Sequence, residues 1–167
     1  GHIVEMIPPG RGAGADHAAL AFRWDIPLLA GDPGEPADGA KYHPEVSRAG
    51  WLSTPDNCTF DSKGRLWIAT DGASKSGLAD GVWATDVEGS GRMLTKHFFA
   101  VPRGGELCGP CFTPDDKTFF GAVQHPADEK ESTFANPSTR WPDFKNDLPA
   151  RPSVVVVNKN DDGLIGS

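Results

Sequence analysis

Glu106 is the residue around which chemistry is most readily built. It lies in Arg103-Gly104-Gly105-Glu106-Leu107-Cys108-Gly109-Pro110-Cys111-Phe112-Thr113-Pro114-Asp115-Asp116, where a carboxylate follows two glycines, an arginine stands three residues before it, and two cysteines have redox spacing. Two chemistries fit these residue types. One is a metal site on a β scaffold, with the carboxylate as an oxygen ligand; the other is a thiol–disulfide centre.

The thiol reading needs the first cysteine at a helix N-terminus, where unpaired N–H groups and the helix dipole lower its pKa. The residues after Cys111 do not begin a helix. Thr113-Pro114-Asp115-Asp116 is a turn, and Thr118-Phe119-Phe120-Gly121-Ala122-Val123 has the β-branched and aromatic character of a strand. No βαβ pattern precedes the motif, so the redox reading is disfavoured. Structural zinc is disfavoured as well, because one C-x-x-C without a second pair or a spaced histidine pair is half a site. Cys58, Cys108 and Cys111 are therefore expected to be small buried hydrophobes.

Of the 167 residues, 38% are hydrophobic, which suffices for one ordinary domain with a real core. A net charge of −7 argues against nucleic acid and anionic membrane as partners. No apolar run approaches the roughly 20 residues of a membrane span, and no signal-peptide pattern is present. The chain begins at Gly1-His2-Ile3 without Met, and the expectation is a piece of a longer protein.

The 20 glycines and 15 prolines exceed one residue in five, a density suited to short strands joined by turns. Ile3 to Ile7 and Ala21 to Ile26 read as strands. Residues 31–53 form a long connection with Tyr42 as its candidate aromatic anchor. Pro55 to Asp61 and Arg65 to Gly72 flank a Ser62-Lys63-Gly64 turn and make the clearest hairpin; Gly81 to Asp86 and Arg92 to Ala100 make a second. Residues 124–151 are another long polar loop. Ser153 to Asn158 is a valine-rich strand, and Asn160-Asp161-Asp162-Gly163 reads as a hairpin turn. It lacks the glutamate that a calcium loop needs at its twelfth position.

Residues Cys58 to Ala69 and Cys111 to Ala122 share one design, a polar turn between two strand halves, repeated after roughly 50 residues as propeller blades are. The expected fold is all-β: a partial β-propeller of antiparallel blades with long loops. Blades use about 40 to 50 residues and closed propellers have about four to eight of them, so residues 1–167 supply about three blades or fewer. Such an arc leaves blade edges unpaired and open to self-association. Trp24, Trp67 and Trp83 are expected to pack between blades.

An ordered set of motifs resembles the C-terminal part of PhoX-type alkaline phosphatases. It comprises Phe22-Arg23-Trp24-Asp25-Ile26, Leu29-Ala30-Gly31-Asp32, Pro55-Asp56-Asn57 with Phe60-Asp61, and Gly64-Arg65-Leu66-Trp67 with Thr70-Asp71-Gly72. It continues with Arg103 to Glu106, Gly109 to Asp115, Gln124-His125-Pro126 and Arg151 to Val156. The resemblance implies a periplasmic or secreted propeller enzyme, exported folded by a twin-arginine signal, that hydrolyses phosphate monoesters with iron and calcium at its axis. By that resemblance Glu106 is a carboxylate ligand and Arg103 approaches the substrate phosphate. These roles suit the chemistry, since hard cations prefer oxygen ligands and the arginine fork matches a phosphate.

The family's cysteine ligand belongs to an N-terminal region outside these residues, and that role does not pass to Cys108 or Cys111. Asp56, Asn57, Asp71 and His125 are the further metal candidates. Pro-Asp-Asn is also an ordinary turn, Asp61 and Asp71 also read as turn carboxylates, and His125 also reads as a hydrogen-bonded structural histidine. Two rival functions stand beside the phosphatase. A calcium-dependent lactonase-like propeller would share the Asp-Asn turn and the Gly-x-Leu-Trp strand, but not the Glu106 to Asp115 or Gln124-His125-Pro126 stretches. A non-catalytic propeller binding module is the other. An isolated arc is expected to be inactive, because an axial site draws on loops from several blades.

Overall fold

The computed structural model describes residues 1–167. Nine strands and no α-helix make up the fold. β1 (His2–Ile7) and β2 (Arg23–Leu29) form an antiparallel ribbon. β3 (Pro55–Phe60), β4 (Leu66–Thr70), β5 (Gly81–Thr85) and β6 (Lys96–Ala100) form a four-stranded antiparallel meander. β7 (Glu106–Phe112), β8 (Thr118–Gln124) and β9 (Ser153–Asn158) form a three-stranded one. The last two sheets are blade-like units, and β7 packs against β3 and β4.

β4 shows how the sequence fixes this stacking. It is buried at every position, so both faces of its sheet must be covered. Trp67 and Ala69 point into one apolar cluster with Val82, Leu107, Phe119 and Val123, which joins the two blades. Leu66 and Ile68, of opposite parity, point into a second cluster with Leu28, Leu52, Trp83 and Met93. In the first cluster Trp67 meets Phe98 and Phe112 edge-on, with ring centroids 5.0 and 4.9 Å away.

The β3–β4 turn is built by Asp61, whose Oδ1 accepts from the backbone N–H groups of Lys63 and Arg65, with Gly64 at φ +75°. Its Oδ2 accepts from Arg65 Nε at 2.6 Å and Trp67 Nε1 at 2.9 Å. Burial pushes this carboxyl upward, but the indole N–H, then the Arg65 backbone and guanidinium, outweigh it and hold the group below its ordinary range. Asp116, in the corresponding turn of the next blade, reaches across to the backbone N–H and hydroxyl of Ser62. The two repeated turns are thus tied to each other. The long 31–53 connection is anchored as the sequence implies, with the Tyr42 hydroxyl donating to the Leu52 carbonyl at 2.6 Å and accepting from the Gly31 N–H.

Three expectations are corrected. Trp24 is 65% exposed, because β1 and β2 make a ribbon outside the blade stack and their alternate face has no cover. Cys58 and Cys111 are exposed and Cys108 is half-buried; all three are free thiols. β3 is an edge strand with one open face, and a register shift between Cys108 and Cys111 turns β7 out of simple alternation. The turn at 160–163 is present but opens no second strand. Residue Ile165 instead tucks into the inter-blade core, where its N–H donates to the Asp116 carbonyl and its own carbonyl accepts from Arg65 Nη2.

Candidate functional site: a carboxylate–histidine cleft

Three strand ends meet at one side of the two blades. Asp71 follows β4, Glu106 opens β7 and His125 follows β8. Asp71 is set by a loop fastened from behind: buried Asp80 accepts from the Thr70 hydroxyl at 2.7 Å and from the N–H groups of Gly72 and Ala73. The Asp71 N–H donates to the Thr54 carbonyl, which ties this loop to the start of β3.

Glu106 is placed by a turn that only glycine allows. Gly104 has φ +72°, and a Cβ there would lie 2.7 Å from the Asp128 nitrogen. The Ala127 N–H donates to the Arg103 carbonyl at 2.9 Å, so the 103–105 and 125–128 segments lock together. Glu106 is only 5% exposed. Its Oε1 accepts from Gln124 Nε2, directly across the β7–β8 pairing, and from the Cys108 thiol. Its Oε2 lies 3.5 Å from His125 Nε2. His125 Nδ1 lies 3.3 Å from the Gly104 carbonyl, to which a proton on that nitrogen donates, and Nε2 is the nitrogen turned toward Glu106.

Of the residues singled out in the sequence, Asp71, Glu106 and His125 come together, with one ligand atom from each lying within 4.8 Å of the others. Asp56 is not of that group. Asn57 spends its side chain on its surroundings, Nδ2 donating to Asp56 Oδ2 and Oδ1 accepting from the Gly109 N–H of β7. Arg103 lines the adjoining cleft, of about 580 Å³, together with Asp71, Lys75, Gly105 and His125. Its Nε donates to Glu129 at 2.8 Å. Asp61 is the turn carboxylate described above. Gln124 was not singled out; its only sequence signal was its place beside His125 in the Gln124-His125-Pro126 motif.

The electrostatics are those of a site short of positive charge. A hydrogen bond to Glu106, then burial and the Glu106 charge, raise the Asp71 carboxyl above its ordinary range. Burial lowers the His125 imidazole, but the Gly104 carbonyl and Glu106 outweigh it and the net direction is upward. Burial first, then Glu106 as hydrogen-bond acceptor and as charge, push the Cys108 thiol up to about 12. A thiol that stays protonated on a strand is the reverse of a redox nucleophile. We expect iodoacetamide at pH 8 to modify Cys58 and Cys111 well before Cys108. Mass mapping of the first site alkylated checks this, and Cys108 reacting first would restore the thiol reading.

Two carboxylates of raised or buried character with an imidazole, and no ammonium or guanidinium bonded among them, form a donor set that fits a hard or borderline cation. The class these features define is an antiparallel β-propeller section with an oxygen- and nitrogen-donor cleft at its strand ends. The chain belongs to the alkaline phosphatase PhoX family, whose model matches residues 1–127 and so takes in Asp71, Arg103, Glu106 and His125. Among solved structures it is similar to that described as Pseudomonas fluorescens PhoX in complex with vanadate, a transition state analogue, at 26% sequence identity and a TM-score of 0.79. That match covers 99% of this chain and 27% of the solved one, so the chain spans about a quarter of the relative's length.

Proposed function

We propose that residues 1–167 are the C-terminal section, about three blades or fewer, of a propeller phosphatase that hydrolyses phosphate monoesters with calcium and iron. The observation that carries this reading is the convergence of Asp71, Glu106 and His125 beside a cleft in a chain of the PhoX family. Vanadate mimics a phosphoryl group in transit, and its presence in a similar protein is in keeping with such a substrate.

In this reading Asp71 and Glu106 would hold the cation through carboxylate oxygens and His125 through Nε2. A bound cation would supply polarisation of the phosphoryl oxygens and neutralise charge that develops there. Gln124 and the Cys108 thiol orient Glu106, and the interlocked 103–105 and 125–128 turns fix the angle between carboxylate and imidazole. Arg103 receives the phosphate through its two Nη groups, since Glu129 engages only its Nε. Periplasmic or secreted placement belongs to the same proposal, and no observation favours the lactonase-like or non-catalytic readings specifically.

The experiment is a comparison of two proteins on a chromogenic phosphate monoester, with calcium and iron supplied. The longer propeller enzyme containing this section should turn over, whereas residues 1–167 alone should run at the no-enzyme rate, because loops of other blades complete the site. Hydrolysis by the isolated chain at the longer protein's rate would contradict the multi-blade site.

A further inference from the structure

We infer that Glu129, backed by Ser138, is a positioning residue that holds the Arg103 guanidinium ready for the substrate's phosphoryl oxygens. The inference rests on the phosphatase reading and deepens it, by naming what aims the arginine which that reading gives to the phosphate. Glu129 and Ser138 lie outside residues 1–127, the part that the family model matches.

Arg103 needs such a support, because its side chain is 73% exposed and a long, solvated stem samples many rotamers. Glu129 is the one acid in ion-pair contact with it, Oε1 accepting from Arg103 Nε at 2.8 Å. The adjacent acid, Asp128, turns instead to His125, with Oδ2 3.7 Å from Nδ1. A bond at Nε holds the guanidinium from its stem side and leaves the Nη edge, the fork that matches a phosphate, facing outward.

Glu129 can fix the arginine because it is itself fixed. Its side chain is 29% exposed, and its Oε2 and the Ser138 hydroxyl, both shut off from solvent, pair with each other. The Ser138 hydroxyl first, and Arg103 second, draw the Glu129 carboxyl below its ordinary range, so it stays charged. The backbone is held on both sides. The Glu129 N–H donates to the Ala127 carbonyl at 3.0 Å, the Ser132 N–H to the Glu129 carbonyl at 2.8 Å, and the Ser138 N–H to the Ser132 hydroxyl at 3.2 Å. The Ala127 N–H in turn donates to the Arg103 carbonyl, so main chain and side chain of Arg103 are tied to one loop. A line from Ser138 through Glu129 to Arg103 thus ends at the cleft that Asp71 and His125 line. An arginine ordered beforehand gives up less freedom when the phosphate binds.

The test is the KM and kcat for phenyl phosphate, and the inhibition constant of inorganic phosphate, measured on the full-length propeller enzyme. The forms compared are wild type, Glu129→Ala, Arg103→Ala and the double variant, with metal content and thermal midpoint of each. In Glu129→Ala, KM and the inhibition constant should both rise about three- to tenfold, with bound metal unchanged, because the cost of ordering Arg103 then falls on binding. Glu129→Gln keeps an oxygen for Nε and should recover most of that loss. Removing Glu129 from the Arg103→Ala enzyme should add nothing, since a positioning residue acts only through its partner. Ser138→Ala should move both constants in the same direction, and it decides the matter if Glu129→Ala does not fold. Constants equal to wild type in the variant that decides, or an equal rise with and without Arg103, overturn the inference. Wild-type enzyme that does not hydrolyse the ester overturns the phosphatase reading and this inference with it, an outcome distinct from an active enzyme whose constants do not move.

Discussion

Glu106→Gln in the full-length propeller enzyme is expected to lower phosphate monoester hydrolysis on the order of 10³-fold and to strip bound cation from the protein. The substitution keeps the shape. Gln can still accept from Gln124 Nε2 and the Cys108 thiol through its amide oxygen, so the strand register of β7 on β8 has no reason to change. What it removes is the charge that faces His125 Nε2 at 3.5 Å and raises both Asp71 and His125. A thermal midpoint close to wild type together with lost activity and lost metal separates this from unfolding. Full turnover with wild-type metal content would remove Glu106 from the centre.

Trp67→Ala carries the largest expected effect on stability. Trp67 is fully buried at the meeting of the two blades, edge-on to Phe98 and Phe112 and stacked on Phe119. Truncation of such a residue costs about 3–5 kcal/mol, and here it also takes the indole N–H from the buried Asp61 carboxylate. For a domain of this size that is a fall in the thermal midpoint of roughly 10 °C or more. Trp24→Ala, by contrast, removes a ring that is 65% exposed and should shift the midpoint by no more than about 2 °C. Differential scanning calorimetry of the pair checks the assignment of the core, and equal shifts in the two would contradict it.

The parts of the fold legible in the sequence are those decided locally. Asp61, Ser62, Lys63 and Gly64 announce a tight turn, and the flanking residues alternate so that Trp67 and Ile68 fall on opposite faces; the hairpin follows. The repeated turn at 113–116 was legible for the same reason. The cysteines were not, because their burial depends on which strand is an edge and where the bulge in β7 falls, and both are settled by packing between sheets. Trp24 fails likewise: a tryptophan in a strand is buried only if another layer covers it.

The grouping of Asp71, Glu106 and His125 was not legible in the sequence. Asp71, Glu106 and His125 stand far apart in the chain, and nothing in their spacing brings them together. Adjacent ends of β4, β7 and β8 do so. Asp56 and Asn57 also read as ligands in the sequence, and in the structure the Asn57 side chain ties β3 to β7 through the Gly109 N–H. Gln124 escaped notice because its role depends on cross-strand register with Glu106.

The central claim is that the Asp71, Glu106 and His125 cleft is a cation site of a phosphate monoesterase. Its most direct test is hydrolysis of phenyl phosphate by the full-length enzyme before chelation, after exhaustive chelation, and after calcium and iron are restored, with metal content measured at each stage. The account predicts that turnover disappears with the metal and returns with it. Undiminished turnover by protein shown to be free of metal would contradict it.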